Sequence, residues 1–456
     1  MDMLGILLAV LLCPSFLASA RGQEPGPAME DPGYAQGGST GTPAQPSSLP
    51  ADPEVRDAAV SSAPAPAAPA LSAKGEQLRA EDRSPMAPAL SAKGEQLRAE
   101  DRSPMAPALS ADRVPRAPVG VPPGWKPLRG VHLTAWVAGD GKARRRFLDR
   151  LDGTIINAVV IPLKETDGRV YIHGVALADS LGTTRRAIPD PAALIRDVKE
   201  RRLRAVARIV LFEDDALPRK KPEWGIRTEG GGLWKTRAGR TWVDPYRREV
   251  WDYNLQIALR AVALGFDEVQ FDYVRFPSDG DTGRCRYWRV DHSSRTAVEA
   301  LTGFLEYARN RLRPTGAGMS IAIFGLTTTT ANDMGIGQRI ASMGGLVDAI
   351  SPMMYPSHYA KREYGLRDPN REPYKIINWG LRDAKRKLGP AAYKLRPYMQ
   401  DFSHGFRYRT EQVQAQIRAA RDQGISSWIF WNPVNKYHWD AFVEEPPSPE
   451  FVPPRL

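Results

Sequence analysis

The chain from about residue 128 onward is predicted to fold as a (β/α)₈ barrel, and three observations predict it. Eight short apolar runs alternate with helical stretches over about 320 residues, the size of one such barrel. Acidic and aromatic residues recur at the C-terminal ends of those runs, where barrel enzymes keep their chemistry. The first strand-to-helix turn, Ala138-Gly139-Asp140-Gly141, lacks the glycine spacing that a doubly wound nucleotide-binding sheet needs.

In chain order the strands are expected at Gly130–Trp136, Ala158–Leu163, Ala205–Phe212 and Glu268–Phe276. The other four are Ser320–Gly325, Ala349–Tyr355, Leu395–Phe402 and Ser427–Asn432, all rich in the residues that fill buried strands. Helices are expected at Pro191–Arg202, Pro245–Leu264, Ser294–Leu312, Asn378–Leu388 and Thr410–Gln423. Asp190-Pro191 and Asp244-Pro245 each place an acid before a first-turn proline, and Gly265, Gly389 and Gly424 stand where helices stop. The segments after Gly139 and Thr330 carry weaker helical patterns.

The residues ahead of the barrel have a different texture. Met1 to Ala20 holds an apolar run, Leu4 to Leu12, and then Ala18-Ser19-Ala20, which reads as a secretory signal peptide. Residues 21–127 are rich in Pro, Ala, Gly and Ser, and PALSAKGEQLRAEDRSPMA occurs twice, from Pro69 and from Pro88. Such composition buries too little apolar area to offset ordering entropy, so a disordered linker is expected. The barrel domain is placed at 128–445 and a Pro-rich tail at 446–456. Export implies a secreted, periplasmic or envelope location and no membrane span once the leader is cleaved.

The net charge of +11 is spread along the chain without a basic stripe or motif, so no nucleic-acid partner is expected. After leader cleavage only Cys285 remains, which excludes an internal disulfide. The six histidines lack a ligand spacing, no GxSxG elbow occurs and no P-loop occurs, so neither metal nor cofactor is called for.

The strand ends then carry the argument. They hold His132 and Trp136, Lys164 and Glu165, Glu213 and Asp214, Asp272 and Arg275. Further on come Tyr355 and His358, Gln400 and Asp401, and Trp431 and Asn432; the fifth strand ends bare, at Phe324-Gly325. Carboxylates meet sugar hydroxyls while aromatic rings stack on their CH faces, so the mouth has the profile of a carbohydrate cleft. Cleaving a glycosidic bond takes two carboxyl groups. Asp272 is the candidate nucleophile or base, and Glu213, Glu165 and Asp401 compete as the acid. His132, Trp136, Lys164, Arg275, Tyr355, His358, Trp431 and Asn432 are candidate contacts to a polysaccharide or oligosaccharide. The plainer reading makes Asp272 and Arg275 a structural pair that holds the next loop. The alternative function is a non-catalytic glycan-binding or envelope-anchoring barrel.

GGLWKTRAGRTWVDPYRREVWDYN, GFDEVQFDYVRFPSDG, DAISPMMYPSHY and WIFWNP resemble a bacterial family of secreted TIM-barrel domains assigned as glycoside hydrolases. The resemblance covers Arg129 to Trp439 and implies a barrel hydrolase. GFDEVQFD is also similar to the fourth-strand pattern of the alpha-amylase superfamily, Gly-x-Asp-Gly-x-Arg-x-Asp, whose last acid is the nucleophile. That likeness falls on Gly265, Asp267 and Asp272, with Glu268 in place of the glycine and Gln270 in place of the arginine. The superfamily's acid after the fifth strand has no counterpart in Phe324-Gly325.

Overall fold

Eight parallel strands close into a barrel in which each pairs with its chain neighbour and the last pairs with the first. The computed structural model describes residues 126–443, so the expected leader, nearly all of the linker and the tail lie outside the described residues. The strands are β1 (Arg129–His132), β2 (Ala158–Lys164), β3 (Arg204–Val210) and β4 (Glu268–Asp272), followed by β5 (Gly318–Phe324), β6 (Ala349–Met353), β7 (Tyr398–Gln400) and β8 (Trp428–Trp431). The helices between them include α1 (Gly141–Asp149), α2 (Pro191–Glu200), α3 (Arg248–Ala263), α4 (Ser294–Leu312), α5 (Ile340–Gly344), α6 (Pro373–Leu388) and α7 (Thr410–Asp422). Among the described residues no helix is long and apolar enough to cross a membrane.

Strand alternation sorts side chains into two cores. Val159, Ile161 and Leu163 of β2 point outward to the helix layer, where they join Leu194 and Val198 of α2. Ala158 and Val160 point inward and meet Val206, Ala322, Tyr398 and Ile429 inside the barrel. The second set leaves room for polar layers, which β4 supplies at every other residue. Glu268 accepts from Arg396 at 2.9 Å and from Ser320 at 2.5 Å. Above it, Gln270 accepts from the Tyr398 hydroxyl and donates to Ser320 and Ser351 at 3.4 Å each. Asp272 forms the top layer, at the pocket described below.

The boundaries differ from the expected ones for local reasons. β4 stops at Asp272 because Tyr273 adopts φ 51, a left-handed backbone that no strand continues through. α3 starts at Arg248, since Asp244 caps the turn ahead of it, accepting from Tyr246 N at 3.0 Å, and also takes Trp288 N at 2.6 Å. α6 starts earlier than expected, at Pro373, a residue suited to a first helical turn. Asp190 does cap α2, through Ala193 N at 2.9 Å, and Gly265 at φ 100 lets the chain leave α3 for β4.

Candidate active site

The C-terminal ends of β1, β2, β3, β4, β6, β7 and β8 frame one pocket. Its polar floor is Glu165, Asp167, Arg208, Asp272 and His132, and its walls include Tyr171, Tyr273, Tyr355, Tyr398 and Trp431. β5 contributes nothing to the lining, in keeping with its bare end.

Arg208 organises the floor. On β3 it sits two positions below the strand end and points inward, because Val206 of the same strand also faces the barrel interior. Its Nε and Nη2 donate to Asp272 Oδ2 at 2.9 and 2.7 Å, while Nη1 donates to Glu165 Oε1 at 2.5 Å. One guanidinium thus ties two carboxylates together. Ideal guanidinium geometry sets the two bound oxygens about 6 Å apart, between the roughly 5–5.5 Å of retaining and the roughly 6.5–9.5 Å of inverting carboxyl pairs. Burial works against the charge of Arg208, yet Glu165 and Asp272 hold its pKa well above the usual arginine value.

The partners of that clamp differ. Asp272 is 2% exposed, lying at the bottom of the mouth rather than in an open bowl. Its Oδ1 accepts from Tyr273 N at 2.7 Å. Glu165 is closer to water, and its pKa is raised, chiefly by burial, against the pull of Arg208 and with a push from Asp272. Asp167 is also raised by burial, and its Oδ1 accepts from Arg169 N at 2.9 Å. His132 is buried with no hydrogen-bond partner at either ring nitrogen, and burial, aided by Arg208, pushes its pKa down to about 3. A neutral imidazole facing a pocket with both nitrogens unpaired is suited to bonding a ligand hydroxyl.

Several expected site residues are engaged elsewhere. Lys164 should have followed the inward register of Ala158 and Val160, but a register shift between Pro162 and Lys164 turns it outward. There it is fully buried, 2.7 Å from Asp214 and 3.0 Å from Asn254 of α3, and it locks β2 to the helix layer. The same shift delivers Glu165 to the pocket. Glu213 lies outside the pocket lining, 3.5 Å from Arg240 and 3.7 Å from Arg275, and burial raises its pKa against both guanidinium groups. Arg275 therefore pairs with Glu213 and not with Asp272; its guanidinium lies 4.9 Å from the Trp242 ring and 4.8 Å from that of Tyr273.

Asp401 turns away from the cleft to the chain after β8. It accepts from His438 N at 2.9 Å and meets His438 Nδ1 at 2.6 Å, a bond that raises the histidine's pKa. Asn432 shapes the same turn by accepting from Val434 N at 3.0 Å and donating to Lys436 O at 2.7 Å. His358 packs behind Tyr355, with ring centroids 5.4 Å apart, and is held 2.9 Å from the Ser357 hydroxyl. Trp136 stands on the rim, 47% exposed, under the Arg185 guanidinium and 6.5 Å from the Tyr171 ring. Of the twelve candidates, Asp272, Glu165, His132, Tyr355 and Trp431 share the pocket.

Arg208, Asp167, Tyr171, Tyr273 and Tyr398 were not singled out. The signal for Arg208 was present: an arginine inside the apolar strand Ala205–Phe212 needs a buried partner. The long loop after β3 uses its tryptophans as anchors: Trp234 Nε1 donates to Asp281 O at 2.9 Å, and Trp242 is 1% exposed. Among the described residues no cluster of three or more His, Cys, Asp or Glu is arranged to hold a metal ion.

The family described as "Putative glycosyl hydrolase domain" matches residues 130–437. The chain belongs to that family. The match begins within β1 and ends past β8, so this glycosyl hydrolase domain and the barrel coincide. Among solved structures, the PgaB (BpsB) glycoside hydrolase domain from Bordetella bronchiseptica is similar at 13% identity over 70% of this chain and 100% of that one, with a TM-score of 0.51. That likeness is one of fold. A hypothetical protein from Ruminiclostridium thermocellum is 31% identical over 42% of this chain and 96% of its own, with a TM-score of 0.38. The Bacillus megaterium spore cortex-lytic enzyme SleL is 12% identical, covers 71% of this chain and 76% of its own, and has a TM-score of 0.43. None of the curated proteins matches.

Proposed function

We propose that this domain is an exported glycoside hydrolase that cleaves a polysaccharide with Glu165 and Asp272 as its carboxyl pair. The observation that carries the reading is the single guanidinium of Arg208 holding both carboxylates at the floor of an aromatic-walled pocket. Glu165, its pKa raised by burial, gives its proton to the leaving glycosidic oxygen as the C–O bond breaks. Asp272 presents Oδ1, which is free of the guanidinium, either to the anomeric carbon or to the proton of an attacking water. In the first case water then displaces Asp272, and Glu165 takes that water's proton. His132 bonds a sugar hydroxyl, and Trp431 and Tyr355, with ring centroids 5.7 Å apart, offer stacking faces. Export rests on the leader at Met1 to Ala20.

A second reading, glycan binding without cleavage, draws on the 2% exposure of Asp272 and its ion pair with Arg208. One experiment separates the two. The barrel is incubated with a glycan panel, and the same panel is offered to Asp272→Asn and Glu165→Gln. Hydrolysis predicts folded variants that still bind and lose turnover by roughly 100- to 10,000-fold. Glu165→Gln should recover most with 4-nitrophenyl glycosides, whose leaving group needs no proton. Binding by the wild type with no product on any glycan selects the second reading, and undiminished turnover by Asp272→Asn removes that residue from the chemistry.

A further inference from the structure

We infer that the sugar unit seated in this pocket carries no negative charge, which excludes uronic acids and sulfated or phosphorylated sugars from that position. The inference rests on the pocket being the glycan site proposed above. Three carboxyl groups line it, those of Glu165, Asp167 and Asp272, against one cation, Arg208; with Glu165 holding the proton it donates, Asp272 balances Arg208 and Asp167 is the surplus charge. Both sides of that cation are already used: Nε and Nη2 face Asp272, and Nη1 faces Glu165. Asp167 has no cation within ion-pairing distance, and its one hydrogen-bond donor is Arg169 N at 2.9 Å.

The neighbouring guanidinium groups stand outside the pocket lining. Arg240 donates to the Thr166 hydroxyl at 2.6 Å and faces Glu213 at 3.5 Å. Arg275 is 1% exposed and lies behind the Tyr273 ring. Arg185 covers Trp136 at 4.6 Å and Arg169 donates to Gly182 O at 2.8 Å; both keep their charge and pull on Asp167 from beyond ion-pairing distance, without lining the pocket. His132 adds no charge, since burial keeps its imidazole neutral down to a pH of about 3. An anionic sugar would bring its charge against surplus carboxylate in a partly desolvated pocket, where repulsion is several-fold stronger than in water. A neutral sugar meets the unpaired nitrogens of His132 and the tyrosine walls. The chain's net charge of +11 draws anionic polymers toward the surface as a whole, so the exclusion is a property of the pocket alone.

The test uses the full chain and sugars matched in pairs that differ only at C6: methyl glucoside and methyl glucuronide, and the corresponding galactose and mannose pairs. Binding is read by saturation-transfer NMR and calorimetry, and cleavage with the 4-nitrophenyl forms. In every pair that binds, the neutral member should bind roughly tenfold tighter or more, and Asp167→Asn should narrow that ratio several-fold by removing one repelling charge. The inference is overturned if a uronide binds as well as its neutral partner, if no neutral member binds at all, or if Asp167→Asn leaves the ratio unchanged. Its failure is distinct from that of the hydrolase reading. Neutral sugars bound but never cleaved sink the latter only, whereas cleavage confined to uronides sinks the inference and leaves hydrolysis standing.

Discussion

Replacing Arg208 with methionine would leave the pocket floor with two carboxyl groups and nothing between them. The Arg208 side chain is 11% exposed and that of Asp272 3%, so the pair is shielded from water. Removing one member of a buried ion pair costs about 3–5 kcal/mol, because the remaining charge is stranded. Glu165, at 20% side-chain exposure, recovers some hydration, so the total should stay near the top of that range and not double it. For a barrel of about 320 residues each kcal/mol moves Tm by roughly 1.5 °C, which gives a fall of about 6–8 °C at neutral pH. The pH dependence has a definite sign. Without the guanidinium Glu165, whose pKa burial already raises, titrates at still higher pH in the folded state than in the unfolded chain. Its share of the deficit is then full above that raised value and shrinks as the pH falls toward the unfolded value near 4. Calorimetric scans of the wild type and Arg208→Met at pH 7.5 and pH 5 read both quantities. A gap as wide at pH 5 as at pH 7.5, or no gap at either, would refute the shared clamp. Arg208→Lys should recover only part of the loss, since an ammonium cannot serve both carboxylates with the same fork.

Lys164→Met strands the fully buried Asp214 and should destabilise the barrel by about 3–5 kcal/mol; adding Asp214→Asn should restore part of this in denaturant titrations, and an unchanged midpoint in Lys164→Met would contradict the buried pair. His132, held near 3 in the fold against an ordinary 6.5, makes no demand on stability above pH 6.5 and costs up to about 1.4 kcal/mol per pH unit as the pH falls below it. His132→Gln should therefore flatten the stability curve between pH 6.5 and 4, measured by urea unfolding at stepped pH. The Cys285 thiol, buried and pushed up to about 12, should resist thiol reagents at pH 8 in the native protein and react once it is unfolded.

Much of the architecture was legible because its signals are local. Alternation from short β-rich runs to amphipathic segments, with Asp190 capping α2 and Gly265 and Gly424 following helices at positive φ, is written in neighbouring residues. The site was legible only in outline. Carboxylates and aromatics at strand ends located the mouth, yet Asp401 and Glu213 stand at such ends and face other partners, His438 in one case and Arg240 with Arg275 in the other. A strand-end acid reports its height in the barrel and leaves its direction open.

By itself the sequence determined that eight strands would close into a barrel and which end would carry acids and rings, since hydrophobic period and caps act within a few residues. Tertiary structure decided which acids share a floor. The register shift after Pro162 reversed Lys164 and delivered Glu165 inward, because side-chain direction flips with a single-residue slip. Arg208 found Glu165 and Asp272 at separations of 43 and 64 residues, and no local pattern encodes which distant charges meet once the sheet closes.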